Sequence, residues 1–309
     1  MRQVHGWRGL DAKERGAALA LGNFDGVHLG HRAVIAGAAA AAARLGAPLG
    51  VATFEPHPRR WFQPDSAPFR LTTLEQQARA LAGLGVDRLH VLPFDAELAE
   101  MSDETFARAV LHEGLGVRHV AAGFDITFGK GRTGDPESLR RFGERYGFGV
   151  AIAARVEAAD GVKLSSSAVR EALAAGRPER AAEILGRPFA IEGVVQHGDK
   201  RGRLLSFPTA NVPLGEYVRP AFGVYATRSR LPDGREAAGV ANLGRRPTVA
   251  GTEERLEVSL FDFDGDLYGR TLETALLAFI RPERRFDGLD ALKAQIAADA
   301  VSARRLLGA

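Results

Sequence analysis

The sequence predicts a two-part protein: an α/β part built on an open, mostly parallel sheet, followed by an all-β part, a small antiparallel barrel with a C-terminal helix. In the first part, short apolar runs alternate with segments of helical periodicity, which is typical of parallel strands joined by crossover helices. In the second part, alternating runs follow one another without helices between them, and Asp-Gly pairs supply turns. We therefore expect domains over residues 1–186 and 187–309.

The composition is ordinary for a globular protein that acts on small anionic molecules. The chain has 309 residues, with 41 basic against 38 acidic side chains. The basic residues are spread along the chain and only 7% of residues are aromatic, so we expect no nucleic acid partner. No apolar run reaches the ~18 residues of a membrane span, no apolar leader follows the start, and cysteine is absent. We expect no membrane association and a cytoplasmic location, and a homo-oligomer stays among the alternatives.

The stretch GNFDGVHLGH at residues 22–31 is the clearest functional signal of the first part. It lies between an apolar run and an alanine-rich segment, so it predicts a strand, a turn and a helix. A helix N-terminus attracts phosphate, and small residues let the backbone approach it closely. His28 and His31, three apart, are expected on one face of the first helical turn, where imidazoles can donate to phosphate oxygens. The other residues of this phosphate cradle are Gly22, Asn23, Phe24, Asp25 and Gly30.

Two other interpretations of the histidine pair are weaker. A zinc site is disfavoured because the chain has no cysteine and no H-x-x-x-H partner set nearby. The two residues can also be ordinary helix residues, as most histidines are. The preceding strand and the G-x-F-D sequence favour the phosphate site over both.

Further elements of the first part follow in order. Residues 49–54 predict a buried strand that ends in an extended loop, residues 55–62, because two prolines interrupt it. In that loop Phe62 or Trp61 either stacks on a planar ring or fills a local packing gap. The remaining strands are expected at residues 88–94, 119–122 and 149–156, and the helices near residues 74–83, 102–112 and 136 onwards.

Two later segments also face the carboxyl edge of the predicted sheet, where α/β folds bind ligands. A glycine-rich loop at residues 123–132 carries Asp125 and Phe128. A helix then starts near Ser165 and Ser166, where hydroxyl and helix N–H groups can hold phosphate and Arg170 can neutralise pyrophosphate. The alternative for this helix is a simple serine N-cap with a solvated arginine.

The second part predicts about six short antiparallel strands and a final amphipathic helix at residues 290–307. The alternating runs are residues 190–196, 223–231, 235–242, 255–263 and 271–280. A short helix at residues 179–185, between two Gly-Arg-Pro triplets, marks the boundary with the first part.

One segment of the predicted barrel, residues 198–211, contains most of its candidate phosphate- and metal-binding residues. A glycine-flanked basic loop can wrap a triphosphate, and its residues are Gly198, Asp199, Gly202 and Arg203. Thr209 and Asn211, two apart in an extended segment, point the same way and offer oxygen atoms to Mg²⁺. Glu257, on a later strand, can take a proton from an attacking hydroxyl. The alternatives are that residues 208–211 form only a turn and that Glu257 merely faces solvent.

Taken together, these motifs resemble the bacterial bifunctional riboflavin kinase/FMN adenylyltransferase (FAD synthetase) family. The resemblance covers residues 17–307 and departs from the usual pattern at Ile126, Thr127 and Ser206. The motif at residues 165–170 also departs from it, since the family more often has I-S-S-T-x-I-R there. Its motifs are G-x-F-D-G-x-H-x-G-H at residues 22–31, P-H-P at 56–58, G-x-D-x-x-F-G at 123–129, S-S-S-x-x-R at 165–170 and G-D-K-R-G-R-L-L-S-F-P-T-A-N at 198–211.

The resemblance implies a Rossmann-like nucleotidyltransferase domain followed by a riboflavin kinase barrel, with riboflavin, FMN and ATP as substrates and Mg²⁺ as cofactor. It implies that Glu257 assists the kinase reaction and that His28, His31 and Arg170 stabilise charge in adenylyl transfer. It assigns the phosphate cradle, Ser165 and Ser166 to one ATP and the loop at residues 198–203 to the other. The flavin-binding residues that it implies are Phe62, Asp125 and Phe128.

Two rival functions carry less weight. An adenylyl- or cytidylyltransferase for another phosphorylated compound would not need the Pro-Thr-Ala-Asn segment at residues 208–211. A flavin- or nucleic-acid-binding regulator with vestigial catalysis would not need all the polar groups that the chain retains.

Overall fold

The computed structural model describes residues 1–197, 208–248 and 251–309, and the chain forms two compact units. The first unit is Met1–Ala67 with Leu74–Ser165, and the second is Pro68–Thr73 with Ser166–Ala309. This division assigns residues 166–186 to the second unit. The functional boundary near residue 186 stays a prediction.

The first unit is built on a parallel sheet, as predicted, and this sheet has six strands. Its spatial order is β1-β4-β3-β2-β5-β6. Because the chain runs outward from β2 to one side and then returns to place β5 on the other, the loops after β2 and β5 diverge and leave a crevice at the carboxyl edge. The strands are β1 Arg2–His5, β2 Ala18–Leu21, β3 Leu49–Glu55, β4 Arg88–Pro93, β5 His119–Gly123 and β6 Gly149–Ala153.

Helices cover both faces of this sheet. Alternate residues of β2 point to opposite sides, so that Leu19 packs in one apolar cluster and Ala18 in the other. Helix α1 ends at Gly46, which adopts the left-handed conformation with φ of 57°. The helices are α1 Leu29–Leu45, α2 Pro58–Phe62, α3 Leu74–Ala82, α4 Ala96–Glu100, α5 Asp103–Thr105, which continues into π-helical turns over Phe106–Gly114, and α6 Pro136–Tyr146.

Three local predictions for the first unit were wrong. The loop at residues 55–62 is not extended throughout, because Pro58 fits the first position of α2 and the His57 Nδ1 atom accepts the Arg59 backbone N–H at 3.1 Å. Strand β6 ends at Ala153, three residues early. Strand β1 was missed, since Val4 is its one buried residue and so short an edge strand has almost no apolar pattern.

The second unit contains the predicted barrel, and six antiparallel strands enclose its core in the order β7-β12-β9-β10-β11-β8. The Gln196 backbone N–H donates to the Asn211 carbonyl at 2.8 Å, which brings β8 back toward β7 and nearly closes the barrel. The strands are β7 Phe189–Val194, β8 Ala210–Pro213, β9 Gly223–Arg230, β10 Glu236–Thr248, β11 Gly251–Leu260 and β12 Thr271–Pro282.

Among its described residues, the second unit also contains three helices: α7 Ser166–Ala174, α8 Pro178–Leu185 and α9 Leu289–Leu307. Ala303 of α9 is buried in the apolar cluster that contains Val224 and Val240, which confirms the predicted amphipathic helix. Arg281 forms three hydrogen bonds of 2.6–3.1 Å with the buried Asp299 carboxylate and so ties β12 to α9. Over the described residues, no helix combines the length and the apolar character that crossing a membrane requires.

Candidate active sites

The turn after β2 is held in an unusual backbone conformation. Phe24 and Val27 have φ of 50° and 43°, and residues other than glycine rarely adopt positive φ. Gly26, between them, has φ of 86°. The Asn23 carbonyl fixes this turn, because it accepts hydrogen bonds from Thr53 Oγ1 and Gln77 Nε2 at 2.9 Å each. The turn therefore presents the N-terminus of α1 at the crevice, while the Phe24 ring itself is buried and contributes to the core.

The two histidines meet at the start of α1, but not as the sequence predicted. His28 is the N-cap of the helix rather than a residue of its first turn, and its Nδ1 accepts the His31 backbone N–H at 3.2 Å. The two rings stack with their centroids 3.6 Å apart. Because Nδ1 is an acceptor, the proton of neutral His28 is on Nε2, where it can be donated to a phosphate oxygen.

Gly30 lets the chain pass close to the start of α1. A Cβ added there would lie 2.6 Å from the Leu164 carbonyl oxygen and 3.1 Å from the His28 ring. Ser165 follows Leu164 directly and is half-buried. The structure therefore brings the end of the first unit, with Ser165, beside the histidine pair. Asp25 of the same cradle is almost fully buried.

The loop after β5 separates its two predicted flavin residues. Asp125 forms an ion pair with Lys163, whose ammonium lies 4.8 Å from the centre of the Phe124 ring. Phe128 instead packs in the core, 5.8 Å from the ring of Phe106. Its ring is only 9% exposed, so direct stacking on a flavin does not fit this placement.

Aromatic side chains of α2 lie on the surface after β3. Phe62 is 64% exposed and Trp61 is 41% exposed. Both rings meet the ring of Phe94 edge-on, at centroid distances of 5.7 and 6.4 Å. Their large exposed fractions show that neither ring is a fully buried packing plug, and the role of Phe62 in stacking stays a prediction.

Ser166 and Arg170 belong to the second unit, at the start of α7. The Arg170 Nε donates to the Phe69 carbonyl at 2.7 Å, and its guanidinium lies 5.7 Å from the Phe69 ring centre. The alternative of a solvated arginine is therefore wrong. The phosphate-binding roles of Ser166 and Arg170 stay predictions.

The barrel aligns polar side chains across three strands. Asn211 of β8 pairs with Glu257 of β11, which pairs in turn with Asn242 of β10. Residues directly opposite one another share a face of the sheet, so the three side chains form one row. The neighbours of Glu257 along the strand, Leu256 and Val258, are buried on the opposite face. Residues 208–211 thus enter a strand and do not form only a turn.

The first part of the predicted kinase segment lies outside the described residues, and it includes Gly198, Asp199, Gly202 and Arg203. Thr209 and Asn211 are described. The Asn211 Nδ2 lies 3.5 Å from the Thr209 carbonyl oxygen, and its Oδ1 lies 3.5 Å from Arg255 Nη1. Sequence reasoning assigned no role of its own to Asn242 or to Arg255. The spacing could have indicated Arg255, because residues two apart in a strand share a face.

The donors of this row suit a hard cation that is shared with phosphate. Over the residues that the structure describes, no group of three or more His, Cys, Asp or Glu side chains could cage a metal. Mg²⁺ needs only one or two protein oxygens when phosphates and water supply the rest. The Thr209 hydroxyl and the Asn211 amide oxygen are donors of that type, and Glu257 lies directly opposite Asn211 in the register.

Comparison with known proteins decides the family. The family described as FAD synthetase matches residues 10–168, and the one described as riboflavin kinase matches residues 185–307. A bifunctional riboflavin kinase/FMN adenylyltransferase of Pseudomonas fluorescens is 46% identical over 99% of this chain and 98% of its own length. This chain belongs to the bifunctional riboflavin kinase/FMN adenylyltransferase family. Another member, from Escherichia coli (strain K12), is 44% identical over 100% of this chain and 98% of its own.

A solved structure is also similar to this chain. A crystal structure described as that of a macrolide-efflux protein from Streptococcus pneumoniae is 31% identical, with a TM-score of 0.84 over 96% of this chain and 97% of its own. The description as a macrolide-efflux protein applies to that structure and not to this chain. Family membership confirms the predicted fold class, a nucleotidyltransferase-like α/β part followed by a barrel with a C-terminal helix, and both predicted enzyme classes.

Proposed function

We propose that this chain phosphorylates riboflavin to FMN with one ATP and adenylylates FMN to FAD with a second ATP, releasing pyrophosphate. One observation carries the proposal: each region that matches a family contains its own phosphate-directed group. The stacked His28 and His31 lie within the FAD synthetase match, and the Asn211–Glu257 pair lies within the riboflavin kinase match. The functional domains are residues 1–186 and 187–309.

In the kinase step, Glu257 accepts the proton of the ribityl 5′-hydroxyl of riboflavin as that oxygen attacks the γ-phosphorus of ATP, and ADP leaves. Thr209 and Asn211 would hold Mg²⁺, which neutralises charge on the phosphates when it is bound. The row formed by Asn211, Glu257 and Asn242 supports this assignment, because Glu257 lies directly opposite Asn211 in the register.

In the adenylyl transfer step, a phosphate oxygen of FMN attacks the α-phosphorus of ATP, and the bond to pyrophosphate breaks. The nucleophile is already an anion, so the site has only to position it and to stabilise the charge that shifts to the leaving group. His28 Nε2–H, His31 and the N–H groups at the start of α1 are the donors that we assign to this task. Arg170 is assigned to the pyrophosphate on the resemblance alone.

The flavin assignments differ among the three residues that the sequence suggested. Phe62 is 64% exposed, and the Asp125 side chain is 54% exposed. We assign both to the flavin and give Phe128 a supporting role beneath the loop. The proposed partners are the small molecules riboflavin, FMN and ATP. We propose the cytoplasm, where ATP is abundant, as the location of the reaction.

The direct test is to incubate the purified chain with riboflavin, ATP and Mg²⁺ and to separate the flavins by chromatography. FMN should appear first and FAD later, and FAD alone should form when FMN replaces riboflavin. Riboflavin that stays unchanged would overturn the kinase assignment. FMN that accumulates without FAD would overturn the adenylyltransferase assignment.

A further inference from the structure

Arg255 lies beside the proposed kinase site, and its side chain is only 12% exposed. It precedes Glu257 by two residues on β11, so both side chains lie on the same face. Its partners on the neighbouring strands are Pro213 and Gly244, neither of which carries a long side chain. The Glu283 carboxylate occupies the space beside Gly244. The Arg255 guanidinium turns along the face toward Asn211 on the other side.

The contacts of this guanidinium are incomplete. Its Nη1 lies 3.5 Å from Asn211 Oδ1, and its Nη2 forms an ion pair with Glu253. Its Nε is buried, and no hydrogen-bond acceptor for it is found within the described parts of the chain. A buried cationic N–H without an acceptor is costly, so this group is suited to receive an anionic ligand.

The contact with Asn211 conflicts with the metal role of that residue. Oδ1 is the one side-chain oxygen of Asn211, and a guanidinium beside it repels a divalent cation. Binding of Mg²⁺ there is therefore weaker while Arg255 keeps this contact and stronger once Arg255 takes another partner. A phosphate oxygen is the natural one, because the planar guanidinium fits phosphate and would satisfy the remaining N–H groups.

We propose that Arg255 is a phosphate-binding residue of the kinase site that exchanges partners. Its guanidinium bonds Asn211 Oδ1 as the structure shows, and it bonds a phosphate oxygen once Mg·ATP is bound, which leaves Oδ1 to the metal. The proposal rests on the proposed kinase function. Arg255 therefore has two effects of opposite sign, because it strengthens nucleotide binding and weakens binding of the metal alone.

Arg255→Gln tests both effects in the full-length chain. Calorimetric titration with Mg·ADP should show two sites in the wild type, and the variant should weaken one of them by about tenfold or more, the worth of a charge-assisted bond. Titration with Mn²⁺ alone, followed by electron paramagnetic resonance, should show severalfold tighter binding to the variant. The KM for ATP in FMN formation should rise by a similar factor. Arg255→Lys should show affinities for Mg·ADP and Mn²⁺, and a KM for ATP, that lie between those of the wild type and those of Arg255→Gln.

The control is Arg228→Gln, which removes a half-exposed arginine of β9 that pairs with Glu236. It should leave both titrations unchanged. The proposal would be overturned if Arg255→Gln bound Mg·ADP and Mn²⁺ with wild-type affinities. It would also be overturned if the variant bound both more weakly, because that result indicates a merely structural role for Arg255. FAD formation from supplied FMN monitors folding. If the wild type itself does not phosphorylate riboflavin, the proposed function fails, and that result is distinct from either outcome for Arg255.

Discussion

The two units present polar groups to phosphate in different ways. In the first unit, a turn with positive φ angles and the N-cap of α1 bring His28 and His31 together through local backbone geometry. In the second unit, Asn211, Glu257 and Asn242 come from three strands and meet only through their register. The first site depends on how the backbone turns, and the second on how distant strands align.

This difference predicts different responses to substitution. Backbone N–H groups at a helix N-terminus survive the loss of any one side chain, so the first site should keep part of its activity when a histidine is removed. The barrel has a single proposed base, so the loss of its side chain should remove the chemical step. The substitutions below are ordered by the size of the expected effect.

Glu257→Ala should have the largest effect. FMN formation should fall by about 10³–10⁴-fold, toward the upper range for the loss of a general base, while FAD formation from supplied FMN continues. Both rates can be measured by chromatography of the flavins. The matched control is Glu236→Ala on β10, whose side chain is 60% exposed. Equal losses in the two variants would contradict the role of Glu257.

His28→Ala should reduce FAD formation by about 10²–10³-fold, the usual cost of losing one donor to a developing charge, and should leave FMN formation intact. Removal of the N-cap also costs about 1 kcal/mol of stability. His28→Asn separates the two effects, since asparagine is a good N-cap. His28→Asn should have the unfolding midpoint of the wild type but should not recover its rate of FAD formation. A normal rate in His28→Asn would show that capping is the only role of His28.

Gly30→Ala should slow FAD formation by about 10²-fold, because a Cβ 2.6 Å from the Leu164 carbonyl must displace one backbone segment by about an ångström. Gly37→Ala is the matched control in the same helix, where a Cβ would meet Ala121 at an ordinary 3.7 Å. That change should stabilise the helix by about 0.5–1 kcal/mol and leave both activities intact. If both variants behave alike, close approach at Gly30 has no special role.

Acid should weaken the first unit through a buried histidine. Burial lowers the pKa of His90 from 6.5 to about 4, and Arg88 adds to this effect. As the pH falls, His90 therefore binds a proton near pH 6.5 in the unfolded chain, but only near pH 4 in the folded unit. The stability is complete above pH 6.5 and decreases as the pH falls, by about 2 kcal/mol at pH 5.

Tryptophan fluorescence can follow this effect in urea, because both tryptophans, Trp7 and Trp61, lie in the first unit. The variant His90→Leu lacks the titrating group and should lose less stability between pH 7.5 and pH 5 than the wild type. The same loss in both proteins would exclude His90 as the cause.

The phosphate cradle could be predicted because its information is local. A strand, a turn and a helix at residues 17–45 follow from consecutive residues, and the structure confirms them. The detail that failed was the position of His28, since an N-cap and a first-turn residue differ by a single ψ angle. Alternating patterns likewise predicted the barrel, although β8 is only four residues long and was not separately recognised.

What the sequence could not show depends on contacts between distant segments. Phe128 looks like a loop aromatic, but Phe106 and Phe142 come from elsewhere in the chain to bury it. The contact of Arg255 with Asn211 spans 44 residues and exists only because β11 pairs with β8 in one register. No local pattern encodes that register.

The most direct test of two separate sites is to mix the variants Glu257→Ala and His28→Ala with riboflavin, ATP and Mg²⁺. We expect the first variant alone to leave riboflavin unchanged and the second alone to accumulate FMN. The mixture should produce FAD, because FMN released by one protein is adenylylated by the other. Loss of both half-reactions in either single variant, measured with its own supplied substrate, would contradict the account.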